Sequence, residues 1–261
     1  TGTTSASDGG GVTAVAFASG PNADIRSLRA TNDGSILALA YGSGVYRSTN
    51  GGASWFPSNT GLGCASPRSI GYSSGQDTLY LATNCGLYKS TSSGASWAAL
   101  SGLPADGLIN DVQPFNSSTT VWVTVDGYGV YRSTDGGATW SQRNSGLPQS
   151  NGAWHVNNFN SPFSSAVTLV MVEGAGIYRT TNNGLSWFAQ NAGLPAGANG
   201  FQGGIGSQND GYVYVSVDGY GVYRGTTGGV STNDLTWSLW TNSGVLPKQR
   251  VRTPTLVNGT Y

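Results

Sequence analysis

The chain has 261 residues with twelve basic and twelve acidic side chains, so its formal net charge is zero, and charged residues make up only 9%. That balance excludes an electrostatic footprint for nucleic acid or for an anionic membrane surface, and no apolar run reaches the length that spans a bilayer. Forty-one glycines, thirteen tyrosines and eight tryptophans suit an extracellular β protein with many tight turns.

In chain order, the first residues "TGTTSAS" read as a strand, "DGGG" from Asp8 as a turn and "VTAVAFAS" as a second strand. They lack the charged start and apolar stretch of a signal peptide, and the missing initiator methionine fits a processed or trimmed chain. From Ile25 a repeat takes over. Its clearest segments are "GVYRSTNGGASW" from Gly44, "GLYKSTSSGASW" from Gly86, "GVYRSTDGGATW" from Gly129 and "GIYRTTNNGLSW" from Gly176, with a longer fifth copy, "GVYRGTTGGVSTNDLTW", from Gly221. The tyrosines stand at 46, 88, 131, 178 and 223, giving steps of 42, 43, 47 and 45 residues. That period holds four short strands and is too long for a leucine-rich repeat.

The contents of each repeat agree. An apolar run of strand length precedes each Gly-(Val/Leu/Ile)-Tyr: "ILALAY", "TLYLAT", "TVWVTV", "AVTLVMV" and "YVYVSV". Ahead of these lie a turn and a further candidate strand, such as "IRSLRAT" or "PRSIGYS". Each unit therefore predicts strand A, strand B, a tight turn, strand C, a second turn and then strand D carrying the Trp. No helical period interrupts the pattern.

The segment S/T-x-(D/N)-x-G-x-(S/T)-W resembles the Asp-box, or BNR, repeat of sialidases, of xyloglucanases of glycoside hydrolase family 74 and of related β-propellers; Ser133–Trp140 is the fullest match. Asn50 and Asn182 replace the Asp, Ser92 departs further, and the fifth copy carries an insertion before Trp237. The resemblance implies an all-β, single β-propeller, with the box as a structural device: a side-chain oxygen ties down the C–D turn and the Trp packs between sheets. The predicted units run over about 25–62, 67–104, 109–148, 153–195 and 198–247. Six blades are expected, the last closed by residues 249–261 together with 1–19; five blades is the alternative.

In such a blade the B–C turns and the D-to-A connections share one rim. Cys64 falls in the first such connection and Cys85 in the second B–C turn, which predicts a disulfide and fits secretion. At the B–C turn position stand Asp8, Tyr41, Asn84, Asp126, Glu173 and Asp218. Asp-Gly is a favoured hairpin dipeptide, so a turn role explains each Asp individually, but it explains Glu173, the only Glu, poorly.

Two carboxyl groups facing a cleft divide glycoside hydrolysis into acid and base roles. The family 74 resemblance adds that "DGYGVYR" at Asp126–Arg132 and Asp218–Arg224 is similar to the surroundings of the catalytic Asp of those xyloglucanases, which carry two propellers where this chain has material for one. Asp126, Glu173, Asp218 and Asp8 are the catalytic candidates. Trp154, His155, Tyr128, Tyr220, Tyr41 and Asn84 are the glycan-binding candidates, because a sugar stacks its C–H face on an aromatic ring while its hydroxyls hydrogen-bond. The strand C residues Arg47, Arg132, Arg179 and Arg224 read as repeat-structural, and no arginine cluster of the sialidase kind stands out.

One histidine and a cysteine pair leave no zinc set. No cofactor is expected, and a Ca²⁺ ion in the central channel has no motif to support it. The expected partner is a carbohydrate, with no nucleic acid and no membrane. A secreted glycan-binding propeller, a glycan-cleaving enzyme acting on a neutral polysaccharide and a non-catalytic protein scaffold are the three functional readings.

Overall fold

Short β-branched and aromatic runs punctuated by glycine turns bury their backbones most cheaply as hairpins, and the computed structural model takes that course. It describes residues 23–115, 119–149, 158–160, 168–172, 174–195, 205–207, 212–217, 220–227 and 235–240. Among the described residues, twenty strands form five four-stranded antiparallel sheets and no helix occurs. The first sheet holds β1 (Ile25–Ala30), β2 (Ile36–Ala40), β3 (Gly44–Ser48) and β4 (Phe56–Pro57). The second holds β5 (Pro67–Ser73), β6 (Thr78–Thr83), β7 (Gly86–Ser90) and β8 (Ala98–Leu100). The third holds β9 (Ile109–Pro114), β10 (Val121–Val125), β11 (Gly129–Ser133) and β12 (Ser141–Gln142). The fourth holds β13 (Asn158–Asn160), β14 (Thr168–Val172), β15 (Gly176–Thr180) and β16 (Phe188–Ala189). The fifth holds β17 (Ile205–Ser207), β18 (Tyr212–Val217), β19 (Gly221–Thr227) and β20 (Leu235–Leu239).

Every sheet is an up-and-down meander in chain order. The first strands touch in series, β1 on β5, β5 on β9, β9 on β13 and β13 on β17. They lie innermost, the fourth strands outermost, as in a β-propeller. The expected closing unit, residues 249–261 with 1–19, lies outside the described residues.

The core sits between sheets. Val121, Val123 and Val125 of β10 pack against Tyr80, Ala82 and Leu87 of the second sheet. Trp122, between them in sequence, packs the other way, against Val170, Val172 and Trp187 of the fourth. A second strand covered on both faces reads as a nearly continuous apolar run, which is what "VWVTV" is.

The C–D turns carry the boxes. In the third sheet, Ser133 Oγ accepts from Gly137 N at 2.8 Å, and Asp135 Oδ1 accepts from Thr139 N at 2.9 Å. Asn50 and Asn182 accept the equivalent amide, from Ser54 and Ser186, each at 2.9 Å. In the second sheet the Ser92 hydroxyl does so from Ser96 N at 3.1 Å. The Thr139 hydroxyl and amide, with Ser133, hold the Asp135 carboxyl down to about 2. A lowered carboxyl stabilises the fold above the unfolded-state value of about 3.9. That contribution is lost as pH falls toward 2, through the Asp135 titration. Because two other boxes work with Asn, Asp135→Asn is expected to leave Tm at pH 7 nearly unchanged and to flatten its decline between pH 4 and pH 2. Parallel thermal melts of both proteins over that range check this; identical acid limbs would contradict it.

The box tryptophans join neighbours. Trp97, Trp187 and Trp237 donate Nε1–H to Ser58, Arg143 and Gln190 carbonyls of the preceding sheet's exit at 2.9, 2.8 and 2.7 Å. Their backbone N–H groups bond Thr60, Ser145 and Ala192 carbonyls, each at 2.9 Å. Trp140 departs from this pattern, because its indole nitrogen is buried without a partner. Strand C bases reach forward instead: Arg47 Nε donates to Ser93 O at 2.8 Å, Lys89 Nζ to Gly136 O at 3.4 Å and Arg132 Nη2 to Asn183 Oδ1 at 3.3 Å. Each acceptor belongs to the next sheet's box, so these cations link blades.

Candidate functional site

The B–C hairpins define a rim. Four close over three residues, with Ala40 opposite Gly44, Val125 opposite Gly129, Val172 opposite Gly176 and Val217 opposite Gly221. The second sheet closes over two, Asn84 and Cys85, with Thr83 opposite Gly86. The first turn residue is tied inward: the N–H groups of Tyr41, Asn84 and Asp126 bond the Asp24, Ser66 and Leu108 carbonyls at 2.9, 3.1 and 2.7 Å. Tyr41, Asn84 and Asp126 therefore occupy equivalent places on three consecutive sheets, each beside the start of an innermost strand.

Tyr41 is 51% exposed. The Arg26 guanidinium lies 3.5 Å over its ring and pairs with Asp24 at 3.3 Å. In the next sheet, Arg68 donates Nη1 to Asn84 Oδ1 at 3.3 Å and Nη2 to Asn110 Oδ1 at 2.7 Å, bridging the second and third sheets. A guanidinium only donates, so both amides must present their oxygens to it. Asn84, which is exposed, then carries its NH₂ group away from Arg68. Asp126 is half-buried. Tyr128, two residues on, donates its hydroxyl to both Asp106 oxygens at 2.7 and 2.8 Å, and that bond raises the phenol's pKa. Tyr220 is 44% exposed at the fifth turn. Asp8, Trp154, His155, Glu173 and Asp218 lie outside the described residues. No group of three or more metal-binding side chains occurs among the described residues.

Sequence reasoning missed Asp24, Arg26, Arg68, Asp106 and Asn110. Arg26, Arg68 and Asn110 share one register position on β1, β5 and β9, but a polar residue on an inner strand carries no signature until the strands are set side by side.

It also missed the device that fixes the hairpins. Asn59 Oδ1 accepts from Val45 N at 2.8 Å, Asn144 Oδ1 from Val130 N at 2.8 Å and Asn191 Oδ1 from Ile177 N at 2.7 Å. Asn144 and Asn191 also donate Nδ2 to the turn carbonyls of Tyr128 and Ala175, at 2.7 and 3.1 Å. A Cβ on Gly129 would sit 2.5 Å from the Asn144 amide, so glycine admits this clamp. The signal in the sequence is the recurring "NTGL", "NSGL" and "NAGL" after the first, third and fourth boxes. In the second sheet Ser101 stands in that place, and the hairpin is bridged instead by the predicted disulfide, Cys64 to Cys85, with Cα atoms 6.1 Å apart.

No family model matches this sequence, and no curated protein matches it. Solved structures match by fold. A xyloglucanase of glycoside hydrolase family 74 from Xanthomonas campestris superposes with a TM-score of 0.66 at 16% identity, covering 81% of this chain and 38% of that one. An ancestral family 74 enzyme gives 0.68 at 20% identity, covering 87% and 32%. YCF48 bound to D1 peptide gives 0.59 at 16% identity, covering 83% and 66%. The chain thus spans about a third of the length of the two glycoside hydrolase structures. At these identities the likeness is one of fold, and it agrees with the strand order and the repeat: the chain is an all-β propeller that resembles the BNR-type propellers of family 74.

Proposed function

We propose that the protein is a secreted carbohydrate-recognising β-propeller that binds a neutral glycan on the rim carrying the B–C turns. The observation that carries this is the row of Tyr41, the Arg68–Asn84–Asn110 bridge and the Tyr128–Asp106 pair along three consecutive sheets. It sets the exposed Tyr41 ring, one face of which the Arg26 guanidinium covers, on the same rim as fixed planar donors and acceptors, which is the chemistry a pyranose needs. The fold likeness to xyloglucanases and the balanced charge support an uncharged sugar polymer, and the disulfide fits an extracellular setting. No cofactor is needed for it.

A broad array of neutral plant, fungal and microbial oligosaccharides tests this. The expected result is a hit whose affinity falls about tenfold in Tyr41→Ala, a loss of about 1.4 kcal/mol. An array without a hit, or a hit indifferent to Tyr41→Ala, would count against the rim as the binding face.

The xyloglucanase likeness favours a second reading, a glycoside hydrolase or related glycan-cleaving enzyme with paired carboxylates drawn from Asp126, Glu173, Asp218 and Asp8. Product analysis of array hits distinguishes it: Glu173→Gln is expected to abolish cleavage, and unaltered product formation removes Glu173 from the mechanism. The peptide bound to YCF48 favours a third, a non-catalytic scaffold for a protein partner.

A further inference from the structure

The second sheet breaks two rules that its neighbours keep, and one bond spans both breaks. Asn59, Asn144 and Asn191 clamp the B–C hairpins of the first, third and fourth sheets, each fifteen residues after the hairpin glycine. The same spacing from Gly86 falls on Ser101, which has no side-chain amide. The connection entering the second sheet is also exceptional. It reads Gly-Leu-Gly at Gly61–Gly63, where the following three read Gly-Leu-Pro, ending at Pro104, Pro148 and Pro195. Proline restricts the backbone and glycine frees it. Gly63 is needed here, because its N–H bonds the Tyr88 hydroxyl at 3.0 Å and a Cβ would lie 2.7 Å from that oxygen. The Cys64–Cys85 disulfide joins this proline-free connection to the turn that lacks an asparagine clamp.

We propose that the Cys64–Cys85 disulfide is a redox latch on the rim, doing covalently for the second sheet what an asparagine amide does for its neighbours. Cys85 is exposed and Cys64 half-buried, so a small thiol reaches the bridge. A dithiol reductant attacks one sulfur and then resolves the mixed disulfide: the S–S bond breaks, two Cys S–H groups form, and the dithiol leaves as its own disulfide. The sheet does not unravel. The β6–β7 ladder from Ala82 opposite Leu87 to Leu79 opposite Ser90 does not run through the bridge, whereas the bonds of Asn84 N–H to Ser66 O at 3.1 Å and of Cys85 N–H to the Thr83 hydroxyl at 3.0 Å lie beside it and open more often. What loosens is the placement of the turn tip and of the connection beside it. The tip carries Asn84, whose amide faces Arg68, so the reduced state blurs that part of the rim. The consequence for ligand capture rests on the glycan reading above; the latch itself does not.

Hydrogen exchange read by mass spectrometry on the full chain, with and without dithiothreitol, tests the latch without any ligand. Reduction is expected to raise amide exchange roughly tenfold in 60–66 and 84–87, while the clamped segments 126–130 and 144–149 keep their rates. Cys64→Ser with Cys85→Ser should reproduce the reduced pattern, and if that variant does not fold, the dithiothreitol arm decides alone. Ser101→Asn, which installs the missing amide, should keep 84–87 slow under reduction while 60–66 still quickens. Unchanged exchange on reduction would overturn the proposal, as would quickening spread over all sheets, the mark of a global staple. Failure of Ser101→Asn to slow 84–87 would overturn the equivalence of the two clamps.

Discussion

Trp187→Ala is expected to lower the unfolding free energy by about 4 kcal/mol, a quarter or more of what a domain of ordinary stability has. The indole is 2% exposed. It packs edge-on against Trp122 with ring centroids 5.9 Å apart and donates to Arg143 O at 2.8 Å. Alanine leaves a cavity at the seam between the third and fourth sheets and strands a carbonyl that the indole had satisfied. Trp140→Ala is the internal control. Its ring is half-buried and its nitrogen has no partner, so its loss should be smaller by about 1–2 kcal/mol. Urea denaturation of both variants measures the difference. Equal losses would mean that the indole bond to the preceding sheet contributes nothing measurable.

The other large effect belongs to a glycine. In Gly61→Ala the new methyl would lie 2.0 Å from the Trp97 carbonyl oxygen, on a residue at φ +88°. The left-handed backbone alone costs an alanine about 1–2 kcal/mol. The collision is with backbone, and that backbone is itself held by Trp97 N–H to Thr60 O at 2.9 Å, so nothing nearby can yield cheaply. A total of about 3 kcal/mol or more is expected. Gly42→Ala separates the two causes, since Gly42 has φ +72° with nothing within 4 Å of the added carbon. It should lose only the conformational part. Matching losses at the two positions would show that the close approach at Gly61 relaxes freely.

Much of the architecture was legible before any coordinates. The repeat around Tyr46, Tyr88, Tyr131, Tyr178 and Tyr223 announced meanders of four short strands, and that strand order is the one observed. The box was legible as a structural device, and its chemistry tolerates Ser92 because a hydroxyl accepts the same amide bond as a carboxylate. The pairing of Cys64 with Cys85 followed from placing both on one rim. The box of fullest match, Ser133–Trp140, nevertheless holds the tryptophan whose indole finds no partner. Its partner would have to come from the preceding connection, which departs at Ser101 after a β8 one residue longer than β4, β12 or β16.

The candidate site divides in the same way. Tyr41, Asn84 and Asp126 could be placed at equivalent turns because hairpin chemistry is local and recurs with the repeat. Arg68 and Asn110, 42 residues apart, meet only when β5 and β9 lie side by side.

From the sequence alone come the all-β class, the four-strand unit, the turn positions and the box, since alternation and turn preference act within a few residues. Only the tertiary structure decides that Trp187 answers to Arg143, 44 residues back, that Arg47 reaches forward 46 residues to Ser93, and that Asn144 holds the hairpin before it. Those bonds join one repeat to the next, or one end of a repeat to its middle. A repeated segment specifies its own strands but not which neighbouring atom the packed array sets against it.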